Sequence, residues 1–269
     1  MIVGITGASG FFGKNFIKRL DVTPSVDVRS FKGDILDLGA VDEFVSDCDN
    51  IVHLAGIVSG SFEDLLNLNL LGTKNLVDCS KKYGVKRLIF ASTGAVYGQP
   101  FDGVSSYEVD ACLPNTHYGL TKYFCEKYIQ HAEIPFTILR FPNVYGPGNN
   151  KGVIYNFLKD IKTQGLVTIL GDGLQSRNYL YIDDALAALQ AALSYKGCEN
   201  IFNIADSELY SLIDVVSVLK NHGLNFSVNM IASNKENCLR ILSENSTKAY
   251  KFLGWKSKIS LSEGIKNLL

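Results

Sequence analysis

Tyr118 and Lys122 are four residues apart, a spacing that sets a phenol and an ammonium one turn apart on one face of a helix. A cation beside a phenol favours the phenolate, so the pair reads as a proton-handling device with Tyr118 as the acid/base. Tyr123/Lys127 and Tyr155/Lys159 repeat the spacing in a chain with 13 tyrosines, so spacing alone does not choose among the three. Context does. Only Tyr118 opens a helix behind the turn residues Pro114-Asn115-Thr116, and only Tyr118 follows a strand ending in Ala91-Ser92-Thr93, whose hydroxyls can reach the phenol. Thr93 is the candidate to orient Tyr118 and the reacting hydroxyl.

The elements that must position these groups begin at the amino terminus. Met1 to Thr6 is a short apolar, β-prone run, followed by Gly7-Ala8-Ser9-Gly10-Phe11-Phe12-Gly13 and an amphipathic segment ending near Leu20. This is strand, glycine turn, helix. Glycines let the backbone turn tightly against a pyrophosphate, and the helix start offers free N–H groups and a positive dipole end. Directly after an amino-terminal strand, the GxxGxxG spacing predicts a dinucleotide site. An oxidised nicotinamide held there would further acidify Tyr118.

Between Asp21 and Asp34 the chain is terse. Thr23-Pro24 breaks it, Val26 to Phe31 reads as one strand, and Gly33-Asp34-Ile35 follows at once, as though a strand-helix unit were missing. An acidic residue at the end of a second strand holds a ribose 2′-hydroxyl, whereas an arginine accommodates a 2′-phosphate. Arg29 and Ser30 sit near that end and Asp27 sits two residues before Arg29, so NAD and NADP both stay open.

Leu38 to Ser46 reads as a helix, and Asn50 to Leu54 as a strand running into Ala55-Gly56, small residues where ligands collect in open α/β sheets. His53 reads as a packed interior histidine. Phe62 to Tyr83 has helical periodicity with Asn69 and Asn75 among apolar residues, and Asn69 reads as a structural bridge with some cofactor contact. Lys86 to Ala91 and Pro135 to Leu139 are further strands on either side of the Tyr118 helix. Arg140 to Gly148 is dense in proline and glycine and marks a boundary.

Beyond Asn149 the units shorten: helix Val153 to Thr163, strand Val167 to Leu170, then a glycine-rich turn carrying Arg177, whose fork of donors suits a phosphate. A helix from Ile182 to Leu193 opens with Asp183-Asp184, expected to cap it. Asn200 to Ile204 is a strand, Ser211 to His222 a helix, and two short helices flank Leu253-Gly254-Trp255.

Composition narrows the function classes. The 26 basic and 27 acidic residues nearly cancel, so nothing favours nucleic acid or a membrane surface. Six cysteines without a CxxC pair predict reduced thiols in a cytoplasmic protein. Four histidines without ligand spacing predict no metal, and no apolar run approaches a membrane span.

In sum of motifs the chain resembles the extended short-chain dehydrogenase/reductases of the NAD-dependent epimerase/dehydratase family, which act on sugar nucleotides. The resemblance runs nearly end to end: TGASGFFG, GDI at Gly33, HLAG at His53, NxxGTxNL at Asn69, STGAVYG at Ser92, YGLTK at Tyr118, RFPNVYGPG at Arg140, GDGLQSRNYLYIDDA at Gly171, and LGW at Leu253. It implies a Rossmann-like, doubly wound parallel α/β sheet over residues 1–142 with 182–205. A small C-terminal α/β substrate lobe takes up residues 143–181 with 206–269. It places the catalytic triad on Thr93, Tyr118 and Lys122. The cofactor would be held by Gly7, Ser9, Gly10, Phe11, Phe12, Gly13, Arg29, Asp34, Ile35, Leu54, Ala55, Gly56, Asn69, Ala91, Ser92, Tyr118, Lys122 and Phe141. Thr93, Asn143 and Arg177 would contact a nucleotide-diphosphate sugar. Where dehydratases of the family carry an Asp-Glu pair after the triad hydroxyl, Gly94 and Ala95 stand here, which disfavours dehydration. The expected activity is NAD(P)-dependent 4-epimerisation, ahead of 4-keto reduction and well ahead of a non-catalytic NAD(P)-binding regulator. By resemblance, a homodimer would pair through the helices at 62–83 and 116–132.

Overall fold

Val3, Ile5, Ile51, Val52, Leu88, Ile89, Ile138 and Leu139 are wholly buried. Strands that are apolar on both faces are what a parallel sheet covered by helices on both sides requires. The computed structural model describes residues 1–23, 25–98, 105–197, 200–232 and 241–269. The sequence expectations for Pro24, Cys198 and Cys238 lie outside these residues.

In chain order the first elements are β1 (Ile2–Thr6), α1 (Phe11–Leu20), β2 (Asp27–Ser30), α2 (Leu38–Ser46), β3 (Asn50–His53), α3 (Phe62–Leu65), α4 (Gly72–Lys82), β4 (Arg87–Thr93), α5 (His117–His131) and β5 (Phe136–Phe141). They continue with β6 (Asn143–Tyr145), α6 (Val153–Gln164), β7 (Leu166–Leu170), β8 (Ser176–Arg177), β9 (Tyr179–Tyr181), α7 (Ile182–Ser194) and β10 (Ile201–Asn203). The last are β11 (Tyr210–Ser211), α8 (Leu212–Asn221), β12 (Ser227–Ile231), β13 (Ile241–Leu242), α9 (Thr247–Leu253) and α10 (Leu261–Lys266). Six parallel strands form the central sheet in the order β10-β5-β4-β3-β1-β2. One apolar cluster joins α1 and α7 to one face through Phe16, Leu20, Ala185 and Leu189, and runs on through Phe157, Val215 and Trp255. The other face is covered by α2, α4 and α5 through Val41, Phe44, Leu76, Cys125 and Ile129. The doubly wound parallel sheet is therefore as expected, and β2 lies at its edge, followed directly by α2.

The later residues build small sheets: β6 beside β9, β7 beside β12, and β8 between β11 and β13. Two local expectations need correction. The segment 62–83 is not a uniform α-helix, because Leu66–Leu71 widens into a π turn. There the Asn69 carbonyl accepts the Gly72 N–H and also bonds from Thr73 Oγ1 at 2.5 Å and Cys125 Sγ at 3.2 Å. Asp184 does not cap α7. Its carboxylate accepts the N–H groups of Lys258 and Ile259, each at 2.9 Å, while Trp255 Nε1 donates to its carbonyl at 2.9 Å. It ties the carboxyl-terminal tail to the sheet domain, and only the exposed Asp183 is left to the helix dipole.

Candidate active site

The glycine turn is built by steric exclusion. Gly7 has φ +69°, and a Cβ on it would lie 2.7 Å from backbone atoms of Leu54 and Ala55. A Cβ on Gly13 would run into the Gly7 carbonyl oxygen, so only glycine lets α1 approach β1 this closely. Helix α1 starts at Gly10 with no side-chain cap and no acid in its first turn, whereas α2 and α5 are capped by Asp37 and Thr116. Its N–H groups are thus left for an anion. The turn opens onto a cavity of about 690 Å³ whose walls include Gly7, Ser9, Asp34, Ile35, Ala55 and Gly56. The donor set and the missing side chains fit a dinucleotide pyrophosphate.

Of the other residues expected to touch a cofactor, Leu54 lies behind Gly7, and Phe12 packs on Phe141 with ring centroids 5.2 Å apart. Phe11 packs edge-on against Phe12 in the first turn of α1. Asn69 is a bridge: its amide donates to Ile57 O at 3.0 Å and Thr121 Oγ1 at 3.2 Å, and accepts from Ile57 N–H at 2.8 Å. Ala91 is half-buried on β4, and Ser92 turns to Glu126 in the interior. Arg29 departs from expectation. It pairs with Asp47 and donates to Glu43 O, so it points along α2 and away from the cavity, whose wall there is Ser30, Phe31 and Lys32.

His53 is an interior histidine, as expected. Thr73 gives its proton to Asn69 O, so His53 Nε2–H donates to Thr73 at 2.9 Å and Nδ1 accepts from Thr6 at 2.7 Å. Burial, helped by the charge of Lys122, lowers its pKa to about 3 and keeps it neutral.

Val58, next in the chain to Ile57 of the first cavity, lines a second one of about 330 Å³. Thr93, Tyr118, Phe141 and Asn143 face it, joined by Ala95, Thr116 and Leu242, which sequence reasoning had not singled out. Thr116 caps α5, accepting the Gly119 N–H at 3.0 Å, and so fixes where Tyr118 begins its turn. The Thr93 hydroxyl oxygen accepts the Ala95 N–H at 3.2 Å, and its hydroxyl favours the ionised form of the Tyr118 phenol. Lys122, one turn on, is buried with Nζ 3.9 Å from the Phe90 ring centroid.

Burial dominates the electrostatics of both groups. Burial pushes the Tyr118 phenol up to about 12, with the Thr93 hydroxyl opposing this and Cys125 adding to it. Burial also brings Lys122 down to about 8, against the upward pull of Cys125 and Glu126. The protein's own groups therefore hold Tyr118 protonated at neutral pH. Arg177 stands half-buried on β8, and its charge reaches Tyr179 and Glu244. Glu244, in the tail, was not legible beforehand; the one signal was the missing side chain at Gly94, whose space it fills.

The family model described as "NAD dependent epimerase/dehydratase family" matches residues 3–205. The chain belongs to the NAD-dependent epimerase/dehydratase family. A putative UDP-glucose 4-epimerase of Methanocaldococcus jannaschii is 30% identical across 98% of this chain and 96% of its own. The UDP-glucose 4-epimerase of Thermotoga maritima, solved with UDP-glucose, superposes with a TM-score of 0.89 at 28% identity, covering 99% of this chain and 97% of that one. The UDP-glucuronic acid 4-epimerase of Bacillus cereus, solved with UDP-glucuronic acid and NAD, gives 0.88 at 27% identity with the same coverage. Within this epimerase/dehydratase fold no metal-binding cluster occurs among the described residues. Among those residues no helix is long and apolar enough to cross a membrane. Cys48, Cys79, Cys112 and Cys125 are free thiols.

Proposed function

We propose that this protein is an NAD-dependent epimerase of nucleotide-diphosphate sugars that oxidises the C4 hydroxyl to a ketone and returns hydride to the opposite face. The meeting of Thr93 and Tyr118 on the wall of the smaller cavity, in a chain whose glycine turn opens onto the larger one, carries this reading. Tyr118, oriented by Thr93, takes the proton from the sugar hydroxyl and later gives it back. NAD, when bound, supplies the hydride acceptor and, oxidised, a positive charge that favours the phenolate. Lys122 is assigned to the cofactor ribose and, when charged, to favouring the Tyr118 phenolate one helical turn away. Asn143 and Arg177 hold the diphosphate, remote from the reacting carbon, and so supply orientation. Gly94 and Ala95 carry no acid or base for water loss. Arg29 is occupied by Asp47, which supports NAD; NADP is the comparison to run, because Lys32 lies on the cavity wall.

In this reading residues 1–142 with 182–205 bind the dinucleotide and the remainder binds the sugar nucleotide. Phe62, Leu71 and Phe124 expose apolar surface on the helices assigned to a homodimer, and the free thiols among the described residues suit the cytoplasm.

The test is interconversion of UDP-glucose and UDP-galactose by the purified protein with NAD, followed by NMR. Turnover without net change in the reduced-cofactor absorbance, lost in Tyr118→Phe by roughly 100-fold or more, is the expected result. Stoichiometric oxidation of NADPH by a 4-keto sugar nucleotide would make the protein a reductase instead. An unchanged rate in Tyr118→Phe would remove the triad.

A further inference from the structure

Neither oxygen of the Glu244 carboxyl has a hydrogen-bond partner among the described residues, although the residue is only 3% exposed. An unsatisfied buried carboxyl is costly and calls for an explanation. Its backbone is well fixed: the N–H donates to Asn178 Oδ1 at 3.0 Å, and the residue bridges to Ser106 just beyond β13. From there the side chain reaches the turn after β4. A Cβ on Gly94 would collide with Oε1 and lie 2.6 Å from Cδ, so the carboxyl fills the room of a side chain at residue 94.

That room is next to the chemistry. Thr93 and Ala95, on either side, both line the smaller cavity, and so does Leu242, two residues before Glu244. Thr93 shares that cavity with Tyr118. The polar groups lining that cavity are hydroxyls and the Asn143 amide, with no lysine or arginine among the described lining residues, and Glu244 stands behind Thr93 and Ala95. Burial raises the Glu244 carboxyl to about 7, with Arg177 pulling it back toward its charged form.

We propose that Glu244 is a specificity-determining residue for the sugar: its carboxyl takes a hydrogen bond from a hydroxyl of a neutral hexose and repels a hexuronate. This rests on the nucleotide-sugar reading above and narrows it to neutral nucleotide hexoses. A hydroxyl relieves the unsatisfied acceptor. A second carboxylate beside it, in a low-dielectric wall, meets like charge.

The experiment compares wild type, Glu244→Gln and Glu244→Ala, all loaded with NAD, in binding and turnover of UDP-glucose and UDP-glucuronate, with thermal unfolding as the check on folding. Wild type is expected to favour UDP-glucose. Glu244→Gln, isosteric and uncharged, is expected to unfold no earlier and to shift the ratio of kcat/KM values roughly 10-fold or more toward the uronate. Glu244→Ala, which loses the acceptor, is expected to raise KM for UDP-glucose as well. A wild-type preference for UDP-glucuronate, or a ratio unmoved in both variants while UDP-glucose is still epimerised, overturns the assignment and leaves the epimerase reading standing. A 4-keto-6-deoxy product made by wild type and not by Glu244→Gln also overturns it, because the carboxyl would then be an acid for water loss. If neither UDP-sugar binds or reacts, the epimerase reading itself falls and takes the assignment with it.

Discussion

Arg140 grips Glu126 with two hydrogen bonds in the interior, Nε to Oε1 at 3.0 Å and Nη2 to Oε2 at 2.7 Å. The two side chains are 3% and 0% exposed. Ser92 donates to the same carboxylate, and Arg140 Nη1 donates to Tyr97 Oη at 2.7 Å, whose own proton goes to Asn203 Oδ1 at 2.7 Å. This network joins β4, β5, β10 and α5, and so clamps the strand that ends in Thr93 to the helix that carries Tyr118. Glu126→Ala strands a buried guanidinium and is expected to cost about 3–5 kcal/mol, whereas an apolar pair at both positions restores most of it. Urea unfolding of the single and double variants checks this. A single-variant loss under ~1 kcal/mol would show that the clamp contributes little.

Lys122 is brought down to about 8 by burial, below its unfolded value of 10.5. Below pH 8 the folded protein holds a buried charge at a cost. Between about 8 and 10.5 the folded state has lost a proton that the unfolded chain keeps, so this group adds stability as pH rises. Lys122→Met is therefore expected to stabilise the fold at pH 7 by about 1–3 kcal/mol. That advantage shrinks across the same window, and epimerisation is lost. Unfolding curves at pH 7 and pH 10 decide it, and an advantage that does not shrink refutes the assignment.

Asp184 and Asp183 are neighbours in sequence with different work. Asp184 holds the tail through two backbone N–H groups, so Asp184→Ala is expected to cost about 1–3 kcal/mol by leaving two partly buried donors unpaired. Asp183→Ala, at an exposed helix start, is expected to cost about 0.3–1 kcal/mol. Equal effects in thermal unfolding would return both residues to a capping role.

Gly94 and Glu244 are coupled by sharing one space. Gly94→Ala forces the carboxyl out and is expected to cost about 1–3 kcal/mol, as overpacked cores do. Adding Glu244→Ala should recover much of that loss, giving a coupling of at least ~1 kcal/mol in a double-mutant cycle. Additive effects would mean that the two side chains do not compete.

The amino-acid sequence by itself determined what depends on near neighbours. The apolar runs became the parallel strands, the Gly7–Gly13 spacing gave an uncapped helix start, and Tyr118 with Lys122 fell one turn apart on α5, because each needs only backbone sterics and helical periodicity. The tertiary structure alone decided what depends on residues distant in the chain. Arg29 went to Asp47, Asp184 to the tail, Lys122 onto the Phe90 ring, and Glu244 into the space beside Thr93. Proton affinity and side-chain pairing follow burial and the nearest charge, and those are set only when strands and helices far apart in sequence close on one another.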